Sequence, residues 1–367
     1  MKKLLGIFMV VTLALFGCSQ GEKKEQDTIK IGLVTDSGSI DDKSFNQGTW
    51  EGVLQFQENQ ENVEVQYIQP SEETLQDYMN AIDNLVMVGN KVIVLPGFKF
   101  EETADQAAKT YEDVKFILID GQPSDNGEYV THDNVVSIYF TEHEAGFMAG
   151  VASALETKTD KLGFIGGFDV HSVYKFGLGY LTGVAYANQE LGTNAQVADY
   201  IYVGSFTDVD AGKAISGAMF DKGIDIIQHA AGGVGVGAIS EAKTRVEAGE
   251  DVKIVGVDVD QFNEGIISNG ESIILTSAMK RLSVAVNAHL EYWLNDEFKG
   301  GEVITMNITD DAVGLPTNNP NLSANTCNTL EEVKQLLKDG TIKVPSTKED
   351  TKDFLDKYNY DYSGLEF

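Results

Sequence analysis

Aspartate ends three short, β-rich apolar segments of the chain, at Asp36, Asp120 and Asp258. In open α/β sheets, ligands bind beyond the carboxyl ends of the strands, so the three carboxylates are expected to face a common cleft. Carboxylate oxygens accept hydrogen bonds from hydroxyl and N–H groups and repel phosphate or carboxylate. The pattern therefore predicts a site for a neutral, polar small molecule. The alternative is that each aspartate only caps a following helix.

Two loops carry an aromatic side chain near the same expected cleft. Phe45 and Asn46 lie where a helix is predicted to begin, near Ser44, and Phe206 lies in the loop after the strand that ends at Val203. Exposed aromatic rings are unfavourable, so a partner is expected to cover them. A flat base between two rings would gain about 1–3 kcal/mol for each stacked face. The alternative for Phe45 is a hydrophobic staple that packs onto its own helix.

Sequence signatures of catalysis and of cofactor binding are absent. The glycines of the segment 229–238 alternate in twos and form neither G-x-G-x-x-G nor a phosphate loop. The five histidines form no H-E-x-x-H motif, and the chain has no C-x-x-C or G-x-S-x-G. The aspartates could act as an acid/base set, but no nucleophile or metal shell accompanies them. We therefore expect no enzyme activity and no metal or other cofactor.

The elements that would position these residues come in two series. In each series, β-rich apolar runs alternate with segments of helical periodicity, first from Ile29 to Tyr139 and again from Leu162 to Val257. This alternation is typical of parallel sheets in α/β proteins. A helix is predicted directly after the first series, beyond Thr141, and a last strand at 341–344. The sequence thus predicts two doubly wound parallel-sheet lobes that enclose a cleft.

The predicted lobes are discontinuous, with the chain crossing between them about three times through a hinge. We assign residues 28–140 and 279–305 to lobe 1, and residues 141–278 and 306–367 to lobe 2. A chain of 367 residues is long enough to build two such domains, each with its own core.

The amino terminus has the pattern of an export signal. Two lysines precede an apolar run that is too short to span a bilayer, so residues 1–17 are interpreted as a signal peptide. Cys18 follows a small residue, as at a lipoprotein cleavage site, and would carry a diacylglyceryl group. The polar residues 18–27 would then form a tether to the membrane. The alternative is that Cys18 is an ordinary buried cysteine.

Composition and cysteine count limit the partners. The formal charge of −30 argues against nucleic acid as a partner and repels anionic lipid, which leaves the acyl chains to hold the protein at the membrane. Once Cys18 is lipidated, Cys327 has no partner. No disulfide is therefore expected, and the fold has to be stabilised by its core.

Five segments carry a resemblance to a known family: LVTDSGSIDDKSFNQGTWEG, LGFIGG, FGLGYLTGV, AGKAISGAMFDKGIDIIQHAAGG and VGVDVDQ. In this order they resemble the basic membrane lipoprotein (BMP) family of purine nucleoside receptors, over about residues 29–344. The resemblance implies the type I periplasmic-binding-protein fold and capture of guanosine, inosine or adenosine. It also implies permease and ATPase subunits of an ABC transporter as partners. The location would be the extracytoplasmic face of the cell membrane, through the N-terminal lipid.

The same resemblance implies which residues hold the ligand. They divide into two rings that stack on the purine, three groups on its edge and three at the ribose: Phe45 and Phe206; Asp36, Asn46 and Asp120; Asp258, Lys280 and the backbone around Gly232. The stretch from His171 to Tyr174 departs from the proline-containing form of the family. The alternatives are a sugar-binding or signal-molecule-binding lipoprotein on the same scaffold, a regulatory or adhesive surface protein, and a nucleoside-cleaving enzyme.

Overall fold

The computed structural model describes residues 28–367. The predicted signal peptide (1–17), the lipidation site Cys18 and the tether (18–27) lie outside the described residues. Within residues 28–367, no helix is both long enough and apolar enough to cross a membrane. Cys327 is exposed and its thiol is free.

The first part of the described chain alternates strands and helices: β1 (Ile29–Val34), α1 (Phe45–Asn59), β2 (Val63–Ile68), α2 (Leu75–Met87), β3 (Val92–Pro96), α3 (Glu101–Thr110), β4 (Lys115–Ile119), β5 (Ser124–Asp125), β6 (Glu128–Tyr129) and β7 (Val135–Phe140). The chain then starts a second alternation: α4 (Glu142–Glu156), β8 (Lys161–Gly166), α5 (His171–Leu191), β9 (Gln196–Tyr202), α6 (Val209–Asp221), β10 (Ile226–Ala230), α7 (Gly233–Glu247), β11 (Lys253–Asp258) and β12 (Ile274–Lys280). The last elements are α8 (Leu282–Leu294), β13 (Val303–Met306), β14 (Val313–Gly314), α9 (Ala324–Lys338) and α10 (Lys348–Lys357).

Twelve of these strands form two six-stranded sheets, and β5 and β6 pair with each other in a separate antiparallel hairpin. The first has the order β13-β7-β4-β3-β1-β2, with all neighbours parallel. The second has the order β14-β12-β11-β10-β8-β9 and is parallel except for the short antiparallel edge strand β14. Strands β3 and β10 are buried along their whole length because helices cover both faces of each sheet. The predicted α/β class with two parallel-sheet lobes is confirmed.

The chain passes between the two sheets at three places: after β7, after β12 and after β13. At the first of these, α4 begins at Glu142, as predicted. Residues 279–280 still pair within the second sheet, and residue 306 pairs within the first. The boundaries drawn at 279 and 305 therefore need correction, because β12 continues as a strand beyond the apolar run that marked it in the sequence. The other boundaries remain a prediction.

The predicted strand at 341–344 is wrong. These residues follow α9 without joining a sheet, and Ile342 donates its backbone N–H to the carbonyl of Leu336 at the end of that helix. Ile342 and Val344 instead pack their half-buried side chains against the core. An apolar alternation of four residues is satisfied equally well by such packing, so it does not establish a strand.

Helices α4 and α5 pack closely and hold one wall of the cleft. Gly146 and Gly150 of α4 lie against the backbone of α5, where an added Cβ would meet the carbonyl oxygens of Phe176 and Tyr180 at 2.2 and 2.3 Å. Such close approach requires residues without a side chain. It places the first turn of α5 beside the start of α4, directly below the cleft.

Candidate functional site

A cavity opens between the lobes. Each of the eight residues singled out in the sequence contributes to its lining: Asp36, Phe45, Asn46, Asp120, Phe206, Gly232, Asp258 and Lys280. They come from the carboxyl ends of strands in both sheets and from the loops and helix starts that follow. The cleft expected from the strand-end pattern is therefore where these residues meet.

Asp42, rather than Asp36, caps helix α1. Its carboxylate accepts hydrogen bonds from the backbone N–H groups of Ser44, Asn46 and Gln47, at 2.9 to 3.1 Å. Three of the free donors at the start of α1 are thereby satisfied. Asp36 is left available for another role.

Asn46 holds the carboxylate of Asp36 in place. Its Nδ2 donates to Asp36 Oδ1 at 2.8 Å and to Asp42 Oδ2 at 2.9 Å, and its Oδ1 accepts from the backbone N–H of Asp36 at 3.3 Å. Asp36 Oδ1 also accepts from the N–H of Gly38. Burial raises the pKa of Asp36, while the Asn46 and Gly38 hydrogen bonds oppose that rise. Among the described residues, the hydrogen bonds to the Asp36 carboxylate all go to Oδ1, so Oδ2 is free to accept another.

The capping alternative is also wrong for the other two aspartates. Asp120 leads into a loop and the short strand β5, with no helix to cap. Beyond Asp258, it is Asp260 that accepts from the N–H of Phe262 in the next helical turn. Asp120 and Asp258 both have positive φ, at 54° and 64°. Such backbone strain is concentrated at functional sites.

Lys280 lies at the centre of a buried cluster of carboxylates. It forms an ion pair with Asp120, and its Nζ lies 3.6 Å from Glu142 Oε1 and 3.8 Å from Asp258 Oδ1. Lys280 is only 3 % exposed, and Glu142 is completely buried. Burial alone would lower the pKa of Lys280, but the three carboxylates raise it above its ordinary value. The ammonium is therefore charged at neutral pH. Although a helix begins shortly after Lys280, the residue is the buried end of strand β12 and not a solvated lysine at a helix start.

Two contacts in and beside this carboxylate cluster join the lobes. Lys280 belongs to the second sheet and Asp120 to the first, and the hydroxyl of Ser44 at the start of α1 donates to Asp258 Oδ2. Burial raises the pKa of Asp258, while Lys280 and Ser44 oppose that rise. Asp120 Oδ1 is buried and has no hydrogen-bond partner among the described residues. Asp120 thus pairs with Lys280 through Oδ2, and its Oδ1 is free to accept a hydrogen bond.

The two predicted rings line the cavity from opposite lobes. Phe45 is the first residue of α1, so it does not occupy the position before the cap that a hydrophobic staple requires. Its ring centroid lies 4.7 Å from Lys280 Nζ. The ring of Phe206 lies over Gly167, where an added Cβ would be 2.2 Å from it, and contacts Phe168 at 5.1 Å between centroids.

Gly232 positions the loop that faces Phe206. Its φ of 53° and ψ of −126° are open to glycine but strained for other residues. The N–H of Gly233 donates to the carbonyl of Phe206 at 2.8 Å. The glycine-rich segment therefore brings backbone close to the cavity and joins two loops of the second lobe.

Sequence reasoning missed other parts of the lining. Phe98, Ser172 and Phe176 contribute side chains to the cavity, and Glu142 supports Lys280 from below. Phe176 lies in helix α5, where its position in the apolar pattern is that of an ordinary core residue. The available signal was the stretch from His171 to Tyr174, already set apart by its departure from the family pattern, because α5 begins there and points its first turns at the cavity.

The chain is similar to a group of transport proteins. It matches the profile of the family Bmp, described as ABC transporter substrate-binding protein PnrA-like, over residues 29–348. The CD4+ T-cell-stimulating antigen of Listeria innocua is 33% identical over 350 residues, which cover 91% of this chain and 94% of that protein. The ABC transporter nucleoside-binding protein BmpA of Lactococcus lactis subsp. cremoris is 31% identical over 332 residues, covering 88% and 91% respectively.

The fold is also found among solved structures. An ABC transporter solute-binding protein from Aeropyrum pernix K1 superposes with a TM-score of 0.76 at 24% sequence identity, over 90% of this chain and 97% of that chain. At this level of identity the match shows the shared two-lobed architecture.

Proposed function

The chain belongs to the Bmp family of PnrA-like ABC transporter substrate-binding proteins, and on that premise we propose that it captures purine nucleosides between its lobes. The family resemblance carried by the five sequence segments is confirmed. Proteins of this family bind substrates for ABC transporters, so the expectation that the chain is not an enzyme is also confirmed. Guanosine, inosine and adenosine are the proposed ligands. The permease and ATPase subunits of a transporter are the proposed recipients.

One observation carries this proposal. Two aromatic rings from opposite lobes, Phe45 and Phe206, line the same cavity as a buried lysine and free carboxylate oxygens. In the proposed complex the rings bracket the base, and Asp36 Oδ2 and Asp120 Oδ1 accept hydrogen bonds from its N–H edge.

The ribose is assigned to the other end of the cavity. Asp258 would accept hydrogen bonds from the ribose hydroxyls, and Lys280 would donate one while balancing the local negative charge. The backbone at Gly232 lies close enough to the cavity to contact the sugar. Because Asp120 and Asp258 contact Lys280 and Ser44 across the lobes, a ligand held by both lobes would favour the closed form over the open one. The transporter would then recognise the closed form.

Calorimetric titration of the chain from Ser19 onward tests the proposed ligand class. The protein is first unfolded and refolded to remove carried ligand, then titrated with guanosine, inosine, adenosine, cytidine and ribose. Purine nucleosides are expected to bind with micromolar or tighter affinity, about −8 kcal/mol or better, and ribose is expected to be silent. Silence from all nucleosides would refute the proposal, and binding of ribose alone would favour a sugar-binding protein.

We also propose that Cys18 anchors the protein to the extracytoplasmic face of the cell membrane. The support is the sequence pattern of residues 1–18 and the absence of a membrane-spanning helix in residues 28–367. Cells grown with labelled palmitate are expected to incorporate the label into the wild-type protein, whereas the Cys18→Ser variant should stay unlabelled. Cys327→Ser is the matched control and should keep the label. Equal labelling of the wild type and the Cys18 variant would exclude Cys18 as the lipidation site.

A further inference from the structure

A carboxyl group that belongs to none of the predicted ligand contacts lies beneath the cavity. Glu142 opens helix α4 directly after the first crossover between the lobes and is completely buried. Its Oε1 lies 3.6 Å from Lys280 Nζ and its Oε2 lies 3.7 Å from Lys175 Nζ. These distances allow ionic attraction but exceed hydrogen-bond length, and neither oxygen has a hydrogen-bond partner among the described residues.

The charges around Glu142 do not balance. The groups that face it are Asp120 from β4, Lys280 from β12, Lys175 from α5 and Tyr139 from β7. Asp258 shares the ammonium of Lys280. Three carboxylates therefore face two ammonium groups in a space from which water is largely excluded. An unpaired buried charge is costly, and a proton on one carboxyl group removes it.

Glu142 is the carboxyl group best placed to take that proton. Asp120 makes the closest ion pair with Lys280, and Asp258 accepts a hydrogen bond from Ser44, whereas Glu142 has only its two longer ion pairs and no hydrogen-bond partner. Burial raises the pKa of Glu142 to about 7, the negative charge of Asp120 adds to that rise, and Lys280 and Lys175 oppose it. Asp120 lies in the other lobe. Opening the cleft would separate the two carboxyl groups and admit water to both.

We propose that Glu142 is a positioning residue for Lys280 and that it takes up a proton when the lobes close around a ligand. This inference rests on the proposed function, because closure is assumed to accompany nucleoside binding. The proton neutralises Glu142, so the ammonium of Lys280 interacts with Asp120, Asp258 and the ribose and no longer with a charged Glu142. In the open form the carboxyl group is hydrated and releases the proton. Ligand affinity is therefore linked to pH through a residue that does not touch the ligand.

The sign of the linkage follows from the direction of the pKa shift. Because the pKa is higher in the closed form, closure is favoured where Glu142 is protonated, and the advantage is lost as the pH rises through about 7. If the open-form pKa is the ordinary value of 4.5, guanosine affinity should weaken about tenfold between pH ~6 and pH ~8. Binding should take up about one proton at the lower pH and about a tenth of one at the higher pH.

Calorimetry of the full-length protein in detergent, in buffers of different ionisation enthalpy, measures both quantities. Glu142→Gln, which imitates the protonated group, is expected to bind guanosine with pH-independent affinity near the low-pH value of the wild type. Lys175→Met removes an opposing positive charge and should shift the affinity loss to higher pH. Glu144→Gln removes another carboxyl group of the same turn, whose pKa is also raised by burial, and should keep the wild-type slope.

Two results would overturn the inference. A purely structural role predicts that Glu142→Gln weakens binding equally at all pH values and retains the wild-type slope. A slope that survives in this variant would belong to Asp36 or Asp258, whose pKa values are also raised. If no nucleoside binds, the proposed function is refuted independently of this inference. NMR of the ligand-free protein with ¹³C-labelled glutamate then tests the protonation of Glu142 directly. Without ligand the cleft is expected to be open, so a Glu142 carboxyl that titrates near 4.5 supports the inference, and one near 7 contradicts it because closure would then take up no proton.

Discussion

Replacing Lys280 with methionine is expected to lower the free energy of unfolding by about 3–5 kcal/mol at neutral pH. The ammonium is 3 % exposed and lies among Asp120, Glu142 and Asp258, which would be left as buried carboxylates without a counter-ion on the cavity side. Methionine fills a similar volume, so the loss comes from charge more than from packing. Urea denaturation followed by circular dichroism measures the change.

Two comparisons separate the charge effect from general damage. Lys222 is an exposed lysine paired with Asp199, and Lys222→Met should change stability by less than about 1 kcal/mol. Adding Asp120→Asn to Lys280→Met removes one of the stranded carboxylates and should recover part of the lost stability. If Lys280→Met is as stable as Lys222→Met, the ammonium does not hold the lobes together.

The destabilisation by Lys280→Met should also depend on pH. Lys280 itself stays charged through the neutral range, because the carboxylates raise its pKa above the ordinary value. The dependence therefore comes from the partners. Burial raises the pKa values of Glu142 and Asp258, and without Lys280 that rise is opposed mainly by Lys175 at Glu142 and by the Ser44 hydrogen bond at Asp258. As the pH falls from about 8 to about 5, these groups gain protons and the difference from the wild type should shrink.

The positions of the ligand-site candidates could be read from the sequence because they follow from local rules. Asp36, Asp120 and Asp258 end buried strands, and the carboxyl ends of parallel strands share one edge of a sheet. The start of α1 near Ser44 was visible from its loop composition, which placed Phe45 in the first helical turn. In the second lobe, Phe206 was placed in the same way, from its position in the loop that follows a predicted strand. Short-range pattern and sheet topology are sufficient for this level of description.

The pairing of these residues could not be read in the same way. Asp120 and Lys280 are 160 residues apart and lie on different sheets, so their contact depends on how the lobes meet. The burial of Glu142 has the same origin, because it stands at a helix start where acidic residues are ordinarily solvated. Strand β13 is partly exposed at the sheet edge and only four residues long, which gives little hydrophobic pattern to detect. Long-range packing decides each of these features.

Replacing both Phe45 and Phe206 with leucine is expected to weaken guanosine binding more than any other change that preserves the fold. Stacking of a base on an aromatic ring contributes about 1–3 kcal/mol, so each single variant should lose about 5-fold to 150-fold in affinity. Leucine keeps the apolar character of the wall and removes only the flat ring. Calorimetric titration with guanosine and ribose measures the losses, and any binding of ribose should be unaffected.

Of the two rings, Phe206 is the one whose substitution tests base stacking more directly. Phe45 also lies 4.7 Å from Lys280 Nζ, so Phe45→Leu removes a cation–π contact along with the stacking surface. Phe206 contacts Phe168 and the backbone at Gly167, and Phe168→Leu is its matched control because Phe168 does not line the cavity. A loss confined to Phe206→Leu would establish a ring-to-base contact in the second lobe. If Phe206→Leu and Phe168→Leu both bind guanosine like the wild type, the second lobe offers no stacking face, and a ligand with a single stacked face becomes the better assignment.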